Sequence, residues 1–278
     1  MTPNEPTSET PAEAKTPLLN EGPGPANPPP TASTDQPSWG RVIWENVLSI
    51  GIALLLVFGI RSTIVEAFKI PSGSMIPTLL IGDHIFVNKL AYGIKVPFSD
   101  WIGDKPIYLM KREAPKQGDI VVFVYPNDPS LYYIKRVIGT PGDVVTVNEK
   151  EFFVNGQPLP RDLMSDSEKA EVLKSLDQDV YRDPALYWEK LAQGKHLMML
   201  DQMVGSPFGE GENSWKVPEG QYFVMGDNRD HSNDSRAWGF VPFDNIRGRA
   251  FVVWLSFQLN WEDRSLQFRP ERIWNALN

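Results

Sequence analysis

Asp119-Ile120-Val121-Val122-Phe123-Val124-Tyr125-Pro126-Asn127-Asp128-Pro129-Ser130-Leu131-Tyr132-Tyr133-Ile134-Lys135-Arg136-Val137-Ile138 is the stretch that decides the fold class. Two runs rich in β-branched and aromatic residues stand either side of a cluster of turn formers, which predicts two short strands. Similar runs recur outward from it. Asp83-His84-Ile85-Phe86-Val87 lies upstream, and Asp143-Val144-Val145-Thr146-Val147, Gln221 to Met225 and Arg249 to Phe257 lie downstream. Phe152 to Leu159 reads as a hairpin on an Asn155-Gly156 turn. Residues 165–195 are more charged and read as partly helical, with Pro184 interrupting. The expectation is a mainly β fold: an antiparallel β domain over 66–278 with an α/β cap inserted at about 144–221.

The N-terminal part is different. Residues 1–40 hold ten of the 25 prolines, five acidic residues and one lysine, with few large apolar side chains. Such a segment buries too little to offset its ordering entropy and reads as a disordered Pro-rich tail. Residues 41–65 follow as a candidate membrane span. The uncharged centre, Asn46 to Ile60, has fifteen residues, against roughly 20 for a spanning helix. Val42-Ile43-Trp44 and Ser62 to Val65 extend it to that length, with Glu45 and Arg61 near the interfaces. A buried core helix is the other reading. A cleavable signal peptide fits badly, because forty polar residues precede the apolar run and no A-x-A-like site follows it. Arg41 before the span and Arg61 and Lys69 after it leave the orientation open.

Composition narrows the chemistry. With 27 Lys+Arg against 35 Asp+Glu the net charge is −8 and no basic run occurs, so nucleic acid is a poor partner. The absence of cysteine excludes disulfides, thiolate chemistry and cysteine-ligated metals.

Three segments carry chemistry. Phe68-Lys69-Ile70-Pro71-Ser72-Gly73-Ser74-Met75-Ile76-Pro77-Thr78-Leu79 is confined by two prolines and a glycine to a turning path that presents small hydroxyls. Lys135 alternates with Tyr133 and Val137 on one strand face, among apolar neighbours. Aimed inward, its amine would be held neutral by desolvation and able to take a serine proton. Aimed outward, it would be an edge lysine that blocks aggregation. The third segment, Gly226 to Arg236, is a dense polar loop behind the run Tyr222-Phe223-Val224-Met225. An EF-hand reading fails there, since Arg229 falls on a ligand position, the sixth position lacks Gly and the twelfth lacks Glu. His84 reads as structural and His196 as a surface residue, neither with metal-ligand company.

Together these segments resemble the bacterial type I signal peptidases. The resemblance is carried by residues 71–79, Gly82-Asp83, Lys89 to Gly93, Gly118 to Phe123, Tyr133 to Gly139, Pro141-Gly142-Asp143, Gly226 to Asp230, Asp234-Ser235-Arg236 and Trp238 to Pro242, in that order. It implies a Ser/Lys peptidase without metal or cofactor, with Ser74 as nucleophile and Lys135 as general base. It implies an oxyanion hole made by the Ser72 hydroxyl and the Ser74 backbone N–H. Ser232 would orient the lysine, with Tyr133 packed beside the dyad. Asp234 and Arg236 would form a supporting ion pair near Asp227. Phe68, Ile70, Pro71, Met75, Leu79, Ile85, Val122 and Ile134 would line apolar pockets that admit only small residues at −1 and −3 of a signal peptide. The substrate would add as a strand beside the segment before Ser74 and the strand of Lys135.

The same resemblance implies a monomer with one span in the bacterial inner membrane. Its partners would be exported preproteins and the lipid bilayer, with 1–40 inside the cell and 66–278 outside. His231 stands where the family usually has Asn and offers a rival base. Trp254, Phe257 and Trp261 read either as interfacial anchors or as core. Two other classes compete: a self-cleaving repressor-type Ser/Lys peptidase, and a silent membrane-tethered peptide-binding module.

Overall fold

The structure is a computed structural model, and it describes residues 39–96, 99, 106–174, 176, 184–205, 211–260 and 265–277. The two runs around Pro126 pair antiparallel, with Val121 opposite Lys135 and Val122 opposite Ile134. In chain order, helix α1 (Trp39–Thr63) leads into β1 (Val65–Lys69), β2 (Asp83–Asn88), β3 (Gly93–Lys95), β4 (Tyr108–Lys111), β5 (Ile120–Val124) and β6 (Tyr132–Gly139). Next come β7 (Val144–Asn148), β8 (Glu151–Val154), β9 (Gln157–Pro158), β10 (Arg161–Leu163), helix α2 (Asp166–Leu173), β11 (Pro184–Leu191), β12 (Gly194–Asp201) and β13 (Glu212–Lys216). The chain continues through β14 (Gln221–Met225), short helix α3 (Ser235–Trp238), β15 (Val241–Pro242), β16 (Ile246–Asn260), β17 (Ser265–Phe268) and β18 (Asn275–Ala276).

One antiparallel sheet carries the chemistry-bearing segments, in the order β1-β2-β16-β5-β6-β14-β15, with β17 and β18 also paired to β16. β16 is fifteen residues long and has register shifts against both neighbours. Such bulges bend a strand and let it serve two partners in succession. Between β6 and β14 two smaller sheets form, β13-β7-β8-β9 and β10-β11-β12. The hairpin on Asn155-Gly156 is present, with both residues at positive φ as an Asn-Gly turn requires.

Three expectations change at their boundaries. Helix α1 begins at Trp39, and Val65 already belongs to β1, so the extended path starts earlier than the run at Phe68 suggested. Within 165–195, only Asp166–Leu173 is helical among the described residues; Ser165 donates through its N–H and hydroxyl to Glu168 at the start of that helix. Pro184 opens a strand rather than interrupting a helix, because a strand's first residue tolerates a missing N–H. The tail read over 1–40 falls outside the described residues apart from Trp39 and Gly40, and Trp261 falls outside them too.

The chain divides into two units, Met1–Ser49 and Ile50–Asn278, and all the chemistry-bearing residues belong to the second. Residues 39–61 of α1 are long and apolar enough to cross a membrane, and none of that apolar window is buried. In the second unit, one apolar cluster gathers Ile70, Met75, Leu79, Ile85, Val87, Ile120, Val122, Ile134, Ala250 and Val253. Another joins β6 and β14 to the inserted strands through Ile138, Val145, Phe152, Met198, Phe223 and Met225. Phe223 is fully buried there and packs edgewise on Phe240. Phe223→Ala is expected to lower unfolding free energy by about 3–5 kcal/mol, read as a fall in the urea midpoint at unchanged slope.

Candidate active site

Ser74 sits in a single 3-10 turn, Gly73–Met75, bracketed by Pro71 and Pro77. The turn is held from the far end of the chain. The backbone N–H of Asn228 donates to Ser74 O at 3.1 Å, and Asn228 Nδ2 donates to Gly73 O at 3.0 Å. Gly226 makes this approach possible: a Cβ there would lie 2.3 Å from Ser74 O and 2.3 Å from Ser232 Oγ. Ser72 is extended and exposed, its side chain making no capping bond. As in any first helical turn, the Ser74 N–H has no intrahelical acceptor, so the turn presents a backbone donor close to an open hydroxyl.

Lys135 reaches the turn from β6. Its Nζ donates to Ser74 Oγ at 2.5 Å, and both side chains are buried. The inward reading of Lys135 is the one the structure realises. Desolvation brings the amine down to about 8; Asp234 and then Asp227 pull it upward, and Arg236 pushes it down. The amine also lies 5.5 Å from the centre of the Tyr133 ring. Tyr133 is stacked on Tyr125 at 4.5 Å and so forms a fixed wall beside the amine.

Arg136, next along the strand, points to the opposite face and is 1 % exposed. A guanidinium stays charged even there, so it needs a carboxylate. Asp227 supplies it, accepting from Nε at 2.9 Å and from Nη2 at 2.9 Å, while Nη1 donates to Gly118 O at 2.8 Å. Asp227 also accepts from Thr78 Oγ1 at 2.6 Å, which ties the segment carrying Ser74 to the same carboxylate. Burial pushes the Asp227 carboxyl up, but Arg136 outweighs it and holds the group ionised. Asp234 behaves alike: burial raises it, and Arg236, bonded through Nε and Nη2 at 2.8 Å each, holds it low.

Ser232 is buried beside Gly226 and lies close enough to Asp234 to help keep it ionised, but outside hydrogen-bonding geometry. Its hydroxyl makes no hydrogen bond to the Lys135 amine. His231 is exposed and directs Nε2 to Asp201 at 2.8 Å, whereas the Ser74 hydroxyl is bonded to Lys135.

His196 corrects an expectation. Read as a surface residue, it is 5 % exposed, with Nε2 3.2 Å from Glu189 and 3.7 Å from Asp227. His84 does pack structurally, stacked on Phe257 at 4.9 Å, and both Trp254 and Phe257 are half-buried against it. Gly226, Asn228, Thr78 and Glu189 were not singled out from the sequence. One signal pointed to such partners: strand alternation puts Arg136 opposite Lys135, and an inward Arg demands a carboxylate from elsewhere in the chain.

Of the pocket-lining candidates, Ile70, Met75, Leu79, Ile85, Val122 and Ile134 belong to one cluster, with Phe68 packed against it; Pro71 stands exposed at its rim. Two strand edges flank this cluster. β1 ends the sheet order, so its outer edge is unpaired among the described residues. On β6, β14 pairs with Arg136, Val137 and Gly139, which leaves Tyr132 to Lys135 without a paired strand on that side among the described residues. Phe68 of β1 and Tyr132 of β6 meet with ring centres 5.6 Å apart. No group of three or more His, Cys, Asp or Glu suited to a metal occurs among the described residues.

The family model described as signal peptidase, peptidase S26, matches residues 43–255. Signal peptidase I of Pseudomonas aeruginosa PAO1 is 40% identical over 263 residues, covering 89% of this chain and 83% of its own. Signal peptidase I of Pseudomonas fluorescens is 42% identical over 228 residues, covering 78% of this chain and 72% of its own. A crystal structure of a signal peptidase I from Enterococcus faecalis V583 aligns at 26% identity and TM-score 0.28, covering 49% of this chain and 97% of that one.

The buried amine has a signature in stability. An unfolded lysine takes up its proton below the ordinary 10.5, whereas Lys135 in the folded chain stays neutral down to about 8. Stability therefore falls as pH drops from 10.5 to 8 and is flat below. Lys135→Met is expected to melt higher than wild type at pH 7, by up to about 3 kcal/mol. The margin should shrink above pH 8 and vanish near 10.5 in pH-dependent thermal melts.

Proposed function

Because the chain belongs to the signal peptidase (peptidase S26) family, serine peptidases that remove signal peptides from preproteins, we propose that its reaction runs on Ser74 and Lys135. The observation that carries this reading is the 2.5 Å hydrogen bond from a buried lysine amine to a serine hydroxyl. With the amine brought down to about 8, about one molecule in ten holds it neutral at pH 7.

Neutral Lys135 takes the Ser74 proton as Oγ attacks the scissile carbonyl. The developing oxyanion is met by the Ser72 hydroxyl and the Ser74 N–H. The intermediate collapses to an ester on Ser74, and the Lys135 ammonium gives its proton to the departing amine of the mature protein. Lys135 then deprotonates a water that attacks the ester and passes that proton to the departing Ser74 Oγ, so the signal peptide leaves with a new C-terminal carboxylate and both side chains are restored. Tyr133 walls the lysine on one side, and Arg136–Asp227 and Arg236–Asp234 fix the loop behind it.

The substrate binds extended, adding main-chain hydrogen bonds to the open edges of β1 and β6. Phe68, Ile70, Met75, Leu79, Ile85, Val122 and Ile134 fill the floor so fully that only small side chains fit at −1 and −3. Helix α1 is the anchor. The 23 residues from Trp39 to Arg61 span about 34 Å at about 1.5 Å each, enough for a hydrocarbon core of about 30 Å. An exposed helix that is apolar on every side finds its solvent in lipid. Residues 1–40 then form the cytoplasmic tail and 66–278 the extracytoplasmic domain, with the inserted region at about 144–221 as its cap.

Cleavage of a model preprotein in detergent tests the reading. Ser74→Ala and Lys135→Ala should abolish cleavage, His231→Ala should retain most of it, and Ser72→Ala should lose about 10²–10³ in turnover. Loss in His231→Ala with survival in Lys135→Ala would sink the lysine base. Wild-type kcat/KM should fall tenfold per pH unit below about 8, since the base must be unprotonated.

A further inference from the structure

The inserted β11–β12 hairpin carries two buried titratable side chains that the reaction above does not use, Glu189 and His196. Glu189 is 0 % exposed and accepts from both terminal nitrogens of Arg229, Nη1 at 2.9 Å and Nη2 closer still. Arg229, likewise 0 % exposed, belongs to the loop behind Lys135. Its carbonyl accepts from Arg236 Nη2 at 2.5 Å, and Arg236 in turn grips Asp234. A continuous path thus runs from a hairpin carboxylate to a carboxylate that acts on the Lys135 amine. His196 Nε2 lies between Glu189 and Asp227, 3.2 Å from one and 3.7 Å from the other. The hairpin meets both the loop and the Ser74 segment: Met199 N–H donates to Asp227 O at 2.8 Å, and the Thr78 hydroxyl, which donates to Asp227 at 2.6 Å, lies 3.3 Å from Leu197 O.

The charges inside this block balance. Arg136 and Arg229 face Asp227 and Glu189, and Arg236 faces Asp234. His196 sits among them as the neutral member, since burial and then Arg136 push it down against the pull of Glu189 and Asp227. Burial pushes the Glu189 carboxyl up, but Arg229 and His196 together bring it down to about 2, so it is an anion at neutral pH. Toward Lys135 the block presents Asp234, Asp227 and Arg236 from the loop and Tyr133 from its own strand. Behind these stand Arg136, Arg229, Glu189 and His196.

We infer that Glu189 is a positioning residue for the catalytic base: from the inserted hairpin it neutralises Arg229, and thereby sets the charge balance under which Lys135 titrates. The inserted hairpin is then part of the catalytic apparatus rather than an appendage. The inference rests on the lysine-base reading and deepens it. Without the Glu189 charge, an unbalanced guanidinium would stand behind Lys135 in a poorly screened interior, and the ammonium form would be disfavoured. Without the Arg229 charge the sign reverses.

The test is the pH profile of kcat/KM for full-length enzyme on a model preprotein, with Lys135→Ala as control and thermal melts to confirm folding. Glu189→Gln should move the acidic limb to lower pH by about half a unit. Arg229→Gln should move it to higher pH, and Glu189→Asp, which keeps the charge, should leave it at the wild-type position. Opposite displacements of the two neutralised variants do not arise from loosened packing alone. Acidic limbs superimposed on wild type in the folded variants, whatever their rates, overturn the inference, and if only one neutralised variant folds, its limb decides. Substantial cleavage by Lys135→Ala would instead overturn the base reading itself, so the two failures are distinguishable.

Discussion

A lysine amine kept out of water beside a serine is the constraint around which this site is organised. The amine must be dry enough to lose its charge, yet β6 places a second cation, Arg136, at the next position. Strand alternation resolves the conflict by sending the two side chains to opposite faces. Burial brings one cation down to about 8, so that it can shed its proton near neutral pH, while the other, which stays charged, is matched by Asp227. The same carboxylate bonds Thr78 and so reaches the segment that carries Ser74. The Ser74 segment, the Lys135 strand and the polar loop are therefore not independent elements; they share one buried anion.

The loop from Gly226 to Arg236 shows how much polarity an interior accommodates when every charge is met. Asp227, Arg229, Asp234 and Arg236 are all buried, and each is in an ion pair of hydrogen-bonding length. Replacing such pairs by apolar residues is often neutral for stability, so their presence speaks for geometry more than for energy. That geometry includes a backbone approach so close that Gly226 has no room for a Cβ.

Much of this was legible in the sequence. Strands announced themselves as β-branched and aromatic runs, and Asn155-Gly156 announced its turn. Ser74 and Lys135 were found by motif and are brought within hydrogen-bonding distance. What stayed hidden depends on contacts remote in sequence. Lys190, Lys195 and the charged residues around them make the β11–β12 segment read as a solvated stretch, and on that basis His196 reads as exposed. It is buried because the hairpin lies on a loop some thirty residues away, which no local pattern encodes. Glu189 escaped for the same reason: a glutamate among lysines gives no sign that its partner is Arg229. Pro184 misled in another way, since the residue that ends helices is equally at home opening a strand.

Only Ile64 separates the end of α1 from the start of β1. With α1 as the anchor, that junction has no slack. Ser74 is eleven steps along the chain from Thr63, a contour of about 36 Å if fully drawn out, and the 3-10 turn shortens it further. Under the proposed anchoring, this contour caps how far Ser74 can stand from the bilayer surface. A scissile bond held farther out than that would be beyond reach whatever its flanking side chains. The tether would then act as a ruler, adding a selection by altitude to the proposed selection by side-chain size.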